Sequence, residues 1–481
     1  MLNLVQTSVA LSLVLLVSPE ASAIVAGAAT HADLLGVYQA ASQNDAQLSA
    51  ARHAYRAQIE AVPQARAGLL PEVTAGATTE TTRLNRDEPS LTRERSGTTF
   101  RANLSQPLFR IDRWYQLKAA QAGAAQAALE LSVKEQAMVF NAAQAYFETL
   151  RQLDSLAAAR AEEAAMLRQR DQAQGRLEDG ASSITDVYDA QAAYDNARAN
   201  RQLAQRKVDD AYEALTRLTK QPYDSIAGVM HQLPVEAPVP NDAKQWVDSA
   251  TQQNLQLQAN DYAVTAAQQT LHQRKAGYAP TLDIVASYRK GDNDSFGYSN
   301  PTDFGSNGYR GDVAQSSIGI ELSIPLYSGG MTRSQVAEST ERFYQSQDER
   351  EDRLREVVLN TRNAFRGINA DIEQIFARRQ SIVSGQKSVE ANQVGVDVGS
   401  RNIADVLNAQ RQLYAAVRDY NNARYDYILD NLKLKQAAGT LSPSDLTHLS
   451  LYLKQDYDPD RDFLPATAVL PESAKRADQR L

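Results

Sequence analysis

The chain of 481 residues has no cysteine. This excludes disulfide staples, thiolate metal ligands and an acylated lipoprotein cysteine, and it is compatible with an oxidising compartment such as the periplasm. Glycine (23) and proline (16) are scarce, and abundant alanine favours helix. No segment after residue 23 reaches the roughly 18 apolar residues of a membrane-spanning helix. There is no GxxxxGK[ST] or GxGxxG loop to hold a nucleotide. The five histidines (His31, His53, His231, His272 and His448) lie far apart, none in an HExxH pattern, and each reads as a surface residue. With no Ser/His/Asp or paired-carboxylate arrangement either, neither catalysis nor a metal or other cofactor is expected. A net charge of −8, without a basic cluster interleaved with aromatics, excludes a nucleic-acid partner.

What is present begins with a secretion leader. Val9 to Val17 is apolar and Ala21-Ser22-Ala23 is a small-residue cleavage site, so residues 1–23 read as a signal peptide, although no Lys or Arg precedes the apolar run. The expectation is export without an inner-membrane anchor.

The mature chain is duplicated. Ala67-Gly68-Leu69-Leu70-Pro71 returns as Ala276-Gly277-Tyr278-Ala279-Pro280, and Ser105-Gln106-Pro107-Leu108-Phe109 as Ser323-Ile324-Pro325-Leu326-Tyr327. Gly180, Ile184, Asp186, Val187, Ala190 and Gln191 return as Gly399, Ile403, Asp405, Val406, Ala409 and Gln410. Each copy reads helix, β-hairpin, helix. In the first, helix is expected at 33–66, strands at 71–82 and 98–108 with a charged loop between them, then helices at 110–173 and 185–220. A proline-rich connector at 221–242 leads to the second copy. There, helix is expected at 243–275, strand at 281–289, a Gly/Asn/Asp loop at 291–315, strand at 316–327, and helices at 331–396 and 403–438. Residues 455–481, charged and rich in Asp and Pro, read as disordered.

The strands alternate. Ile318, Ile320, Leu322, Ile324 and Leu326 share one face; Ser317, Gly319, Glu321 and Ser323 share the other. Residues 98–108 and 281–289 repeat the pattern, and 71–82 does so weakly through Val73, Ala75 and Ala77. Such strands suit a half-buried sheet or a membrane-crossing one. The helices that follow are too long and too polar to cover a sheet face, which favours lipid, with Ile318, Ile320, Leu322 and Ile324 facing it. Four strands cannot close a barrel, and an open edge cannot sit in lipid. Two copies give eight strands and a filled lumen; three give twelve and room for a pore. Phe109, Trp114, Tyr115 and Tyr327 suit an interfacial aromatic belt and equally suit core packing.

The helices carry small residues on several faces, which suits either a curved helical wall or a coiled-coil rod. Gly180 and Gly399 read as turn glycines at the tips farthest from the strands. Asp186 and Asp405, in the first turn of the next helix, have a capping role as their plainest reading.

Gly180-x3-Ile184-Thr185-Asp186-Val187, Gly399-x-Arg401-x-Ile403-x-Asp405-Val406-Leu407, Leu413-Tyr414, Asn422-Ala423-Arg424-Tyr425 and Gly439-Thr440-Leu441 resemble the TolC family of outer-membrane channel-tunnels over residues 31–450. The resemblance implies a mostly α fold with a membrane β-barrel portion: a homotrimer with a twelve-stranded barrel at 71–109 and 281–327. It also implies a twelve-helix periplasmic tunnel built from 30–70, 110–220, 243–280 and 328–440, and an equatorial belt from 221–242 and 441–454. The implied function is a passive exit duct for efflux or type I secretion. Its partners would be a periplasmic adaptor meeting the tips near Gly180 and Gly399, an inner-membrane pump of RND, ABC or MFS type, and outer-membrane lipid. Carried over, Asp186 and Arg401 form a closing latch between neighbouring subunits, and Asp405 lines the entrance constriction. Asn408 stands one turn later, where the family often has a second aspartate, and Val396 stands where a latch tyrosine is expected. The rival from another class is a non-conducting trimeric coiled-coil scaffold or adhesin.

Overall fold

The computed structural model describes residues 31–88, 90–292 and 312–465. The expected leader at 1–23, most of the expected loop at 291–315, and residues 466–481 lie outside them. In chain order the elements are β1 (His31–Ala32), α1 (Leu34–Asn44), α2 (Ala46–Ile59), α3 (Ala61–Ala67), β2 (Glu72–Arg86), β3 (Leu91–Phe109), α4 (Ile111–Glu178), α5 (Ile184–Thr219), β4 (Ser225–Ile226) and β5 (Gly228–Val229). The second copy supplies α6 (Ala243–Gln253), α7 (Leu255–Lys275), β6 (Thr281–Asp292), β7 (Asp312–Ser323), α8 (Met331–Asp397) and α9 (Ile403–Ala437). Then come α10 (Pro443–Ser450), β8 (Leu453–Lys454) and α11 (Pro459–Asp462).

Helices α4 and α8 have 68 and 67 residues, about 100 Å each at 1.5 Å per residue. No proline falls between Phe109 and Lys220 or between Met331 and Ala437, so nothing in these stretches removes a helix donor or clashes with the preceding turn. Helix α8 is buried largely through Val357, Ile368, Ile375 and Ile382, whereas α4 and α5 bury many alanines. Ala142, Ala143, Ala157, Ala158 and Ala159 are covered on α4, and Ala190, Ala193 and Ala197 on α5. Near the strands, α4 packs against α2, α3 and α7, and α7 also packs against α8. Farther away, α4 packs against α5 and α9, and α9 packs against α8. The chain is therefore four helices wide at both levels, a layer of helices side by side rather than a rod.

Two helices expected to be continuous are broken. The 33–66 stretch divides at Asp45 and Glu60, and 243–275 divides at Asn254. Asp45 and Asn254 have nearly the same extended backbone, and each side chain accepts from the N–H three residues on, Leu48 and Leu257. They occupy equivalent positions in Asn44-Asp45-Ala46-Gln47-Leu48 and Gln253-Asn254-Leu255-Gln256-Leu257, so the break is itself duplicated. The first hairpin is also longer than expected. The charged stretch at 83–97 is mostly strand, with β2 and β3 in register out to Arg86 opposite Leu91. Its Thr and Arg residues are compatible with a strand, and only a short turn near Asp87 is needed. The second hairpin's last strand, expected at 316–327, runs from Asp312 to Ser323.

The main core lies midway along the helices. Tyr146, Phe147, Leu150, Tyr425, Ile428 and Leu432 meet Tyr223, Ile226, Leu446, Leu453 and Phe463 there. The connector clasps this level through two short pairings, β4 with β1 ahead of the first helix and β5 with β8 of the C-terminal segment. The chain also remains ordered past residue 454, where disorder was expected: Phe463 is buried and Asn421 Nδ2 donates to its carbonyl at 2.8 Å. One buried aromatic and a backbone hydrogen bond to α9 outweigh the polar composition of this stretch.

A polar network underlies the clasp. Arg424 is buried and donates to the carbonyl oxygens of Val229 (3.2 Å) and Met230 (2.7 Å). Asp154 is buried and accepts from Tyr425 Oη (2.8 Å) and from Tyr457 Oη. His231 Nε2 donates to the Asp462 carbonyl (2.7 Å), while Nδ1 is buried with no partner; a second proton on the ring would go unsatisfied. Burial, helped by nearby Arg424, holds His231 down to about 4. Burial pushes Asp154 up to about 6, although the Tyr457 and Tyr425 hydroxyls oppose the shift.

The two groups pull stability in opposite directions. Between pH 4 and 6.5 the unfolded chain takes up the His231 proton that the folded chain refuses, so this contribution is whole above 6.5 and lost toward pH 4. Between 3.8 and 6 the folded chain keeps the Asp154 proton, so that contribution is whole below 3.8 and lost as the pH rises through 6. Each is worth about 3 kcal/mol. In denaturant melts the stability difference between wild type and His231→Gln should move in favour of the wild type from pH 4 to 6.5, and that between wild type and Asp154→Asn should move against the wild type from pH 4 to 6.

Candidate channel wall and entrance

The four long strands form one antiparallel sheet in the order β2-β3-β6-β7. Its register aligns the alternation of all four. Val73, Leu104, Ala286 and Ile318 fall in one cross-strand row, and Ala75, Ala102, Tyr288 and Ser316 in another. On the opposite face, Thr74, Asn103, Ser287 and Ser317 are aligned, and Ser287 Oγ lies 2.8 Å from Ser317 Oγ. One face is thus apolar and the other is hydroxyl- and amide-rich. The apolar face is uncovered: Val73 is 70% exposed, Ile318 80%, Ile320 69% and Leu322 60%. A soluble sheet would bury that face against another layer. The outer strands β2 and β7 each leave one edge without a ladder partner among the described residues.

Ile324, expected to continue the lipid-facing row, lies one residue beyond the end of β7. Pro325 cannot donate to a ladder, and Gly329 and Gly330 take positive φ of 63° and 86° to turn the chain into α8. Ile324 is still exposed, on the approach to the helix. At the equivalent end of β3, Pro107 sits beside a shift in register. Arg110 Nη1 ties the start of α4 to Asp283 Oδ2 on β6 at 3.3 Å. Phe109, Trp114 and Tyr327 are exposed around this junction, whereas Tyr115 stacks on His272 with ring centroids 5.2 Å apart. The four aromatics thus divide between an exposed girdle and local packing.

The far ends of the helix pairs are two copies of one turn. Gly180 and Gly399 have φ of 71° and 76°, and the Gly180 and Gly399 N–H groups bond back to Leu177 and Val396, which is how a left-handed residue closes a helix C-terminus. The next helix then opens with a reciprocal box: Ser183 with Asp186, and Asn402 with Asp405. The capping role expected of both aspartates is therefore present. The Ser182 hydroxyl and the Ser183 N–H hold the Asp186 carboxyl below the usual carboxylate range. Within one chain Asp186 and Arg401 are not brought together; Arg401 Nη1 instead lies 3.8 Å from Asp405 Oδ2. Asn408, one turn on, is exposed and accepts from Arg411 Nη2 at 3.0 Å. The opposite side of this turn, Ile403, Val406 and Leu407, is buried.

Sequence reasoning missed the residue that joins the tips. Arg176 Nη2 donates to the Val396 carbonyl (3.1 Å), and its Nη1 lies 3.6 Å from Asp397. The Val396 side chain is itself buried, so it presents no group at the tip surface. Only the placement of basic Arg176 and acidic Asp397 in the final turns of matching helices hinted at this bridge. Among the described residues, no group of three or more His, Asp or Glu side chains is arranged to hold a metal ion, and no helix is long and apolar enough to cross a membrane.

The sequence profile of the outer membrane efflux protein family matches residues 37–219 and 246–440. The outer membrane protein TolC of Vibrio cholerae serotype O1 is 35% identical over 424 residues, spanning 88% of this chain and 94% of that one. The chain belongs to the TolC family of outer membrane efflux proteins. The alkaline protease secretion protein AprF of Pseudomonas aeruginosa is 27% identical over 424 residues, covering 86% of this chain and 85% of the relative. The crystal structure of the Campylobacter jejuni CmeC outer membrane channel superposes with a TM-score of 0.73 at 14% identity, covering 90% of each chain. This TolC-family chain is thus an outer-membrane efflux or secretion channel with no enzymatic role, and its membership implies a trimer.

The absence of cysteine allows the two sheet faces to be told apart chemically. In outer-membrane vesicles, Asn103→Cys should react with a water-soluble maleimide. Ile320→Cys should stay unlabelled until detergent strips the lipid. Equal labelling of both in intact vesicles would contradict the assignment of faces.

Proposed function

We propose that three copies close a twelve-stranded barrel through the β2 and β7 edges, with residues 71–109 and 281–327 in the outer membrane and the helices reaching into the periplasm as a hollow wall. The single observation supporting this reading is a sheet with one wet face, one uncovered apolar face and two open edges, joined directly to helices of about 100 Å. Unpaired backbone at either edge costs several kcal/mol per group in hydrocarbon, and a closed ring of copies removes that cost. The connector at 221–242 and the segment from 441 form a belt around the tunnel. The protein is a passive duct: energy comes from an inner-membrane pump acting through a periplasmic adaptor. The adaptor meets the tips around Gly180 and Gly399, where Ile184, Tyr188, Val394 and Val398 are exposed.

In the trimer Asp405 and Asn408 line the narrowest part of the entrance, and Asp186 of one subunit latches to Arg401 of its neighbour. Three Asp405 carboxylates around one axis attract cations, and a single such ring, with Asn408 beneath it, does so less strongly than two rings would. Heat-resistant trimers that conduct in planar bilayers are the expected result; a non-conducting scaffold would leave the bilayer silent. Multivalent cations added from the periplasmic side should block the wild type, and Asp405→Ala should weaken that block about tenfold or more. Conductance should rise in Asp186→Ala and in Arg401→Ser. Unchanged conductance in both variants would remove the latch, and undiminished block in Asp405→Ala would remove the ring.

A further inference from the structure

The wet face of the sheet carries a second charged level of opposite sign. Arg101 on β3 lies directly across from Arg289 on β6. Gly76 on β2 and Gln315 on β7 complete the same row. Strand alternation puts both arginines on the face of Asn103, Ser287 and Ser317, opposite Phe100 and Tyr288. Like charges directly opposed across an antiparallel pair are destabilising, so the row costs stability. Arg101 is exposed and in none of the ion pairs among the described residues, and Arg289 across from it is half-buried. Gly76 adds no side chain to crowd the row. On the same face, Asp283 and Glu321 are paired across β6 and β7, six residues from Arg289 along β6. That is about 20 Å, roughly two Debye lengths at physiological salt. Asp283 is in addition held by Arg110 at 3.3 Å. Glu80 follows four residues beyond Gly76 on β2, about 13 Å away.

We propose that Arg101 and Arg289 form a polyanion-binding girdle inside the barrel, a site separate from the carboxylates of the entrance. This rests on the trimeric barrel proposed above. Two arginines from each of three chains then form one ring. Twelve strands about 4.8 Å apart and tilted about 40° enclose a backbone diameter of about 24 Å, which arginine side chains on the inner face narrow toward the size of a compact polyanion. Guanidinium groups suit phosphate and carboxylate oxygens because their paired N–H donors match two acceptors at once. The row below supplies further donors in Asn103, Ser287 and Ser317. The ligand class is a water-soluble molecule carrying several phosphate or carboxylate groups, held reversibly while it occupies the lumen.

Tripolyphosphate is the probe, used in two ways on the full trimer. Titration calorimetry in detergent should show saturable, salt-sensitive binding. Arg101→Gln/Arg289→Gln should weaken it about tenfold or more, and Arg101→Lys/Arg289→Lys should largely retain it. In oriented bilayers, tripolyphosphate on the extracellular side should lower wild-type conductance, and the double glutamine variant should require a correspondingly higher concentration. Wild-type trimers that bind no tripolyphosphate, or that bind it as tightly after both arginines are neutralised, would overturn the girdle. Silent bilayers with intact, arginine-dependent binding would instead count against the open duct and leave the girdle standing.

Discussion

The whole structure depends on backbone hydrogen bonding at a sheet that one chain cannot complete. Four strands satisfy each other's N–H and C=O groups only in the interior of the sheet; β2 and β7 each present a free edge. Water would solvate those edges, but hydrocarbon cannot. The uncovered row of Val73, Leu104, Ala286 and Ile318 makes hydrocarbon the favoured surroundings. Membrane insertion and self-association are therefore one problem with one solution, a closed ring of copies.

The helices extend that ring across the periplasm. Because each strand pair runs directly into a helix free of proline, the helical wall inherits the arrangement set by the sheet. Four helices lie side by side at each level, above and below the equator, and the equatorial core with its clasp holds the two levels in line. The buried Arg424 and Asp154 and the half-buried His231 give that core a fixed set of partners. A half-satisfied network there would be worse than an apolar one, and the one unpartnered atom in it, His231 Nδ1, is tolerated because the ring stays neutral.

Much of this was legible in the sequence because the duplicated blocks mark turns and caps, whose chemistry is local. Gly180 and Gly399, Asp186 and Asp405, and the alternation of Ile318, Ile320 and Leu322 could be read directly. The breaks at Asp45 and Asn254 were equally local, and the paired Asn44-Asp45 and Gln253-Asn254 steps would have shown them. The rest depended on distant contacts. Nothing near Phe463 announces the pocket that covers it, and the polar stretch around it reads as disorder. Strand propensity in Thr- and Arg-rich segments depends on a partner strand, so the outer part of the first hairpin looked like loop. Arg176 gains its role only because α4 and α8 end at the same height, a consequence of their nearly equal lengths.

The central claim is closure between copies, and it can be tested by joining the two edges covalently. With no native cysteine to interfere, Val73→Cys on β2 can be combined in turn with a cysteine at each position from Asp312 to Ser323 on β7, then oxidised in membranes. Disulfides form only where Cβ atoms come within about 4.5 Å, so one narrow set of β7 positions should give covalent trimers on denaturing gels, released to monomers by reductant. Monomeric bands at every pairing, under conditions where both thiols are shown to react, would contradict the account.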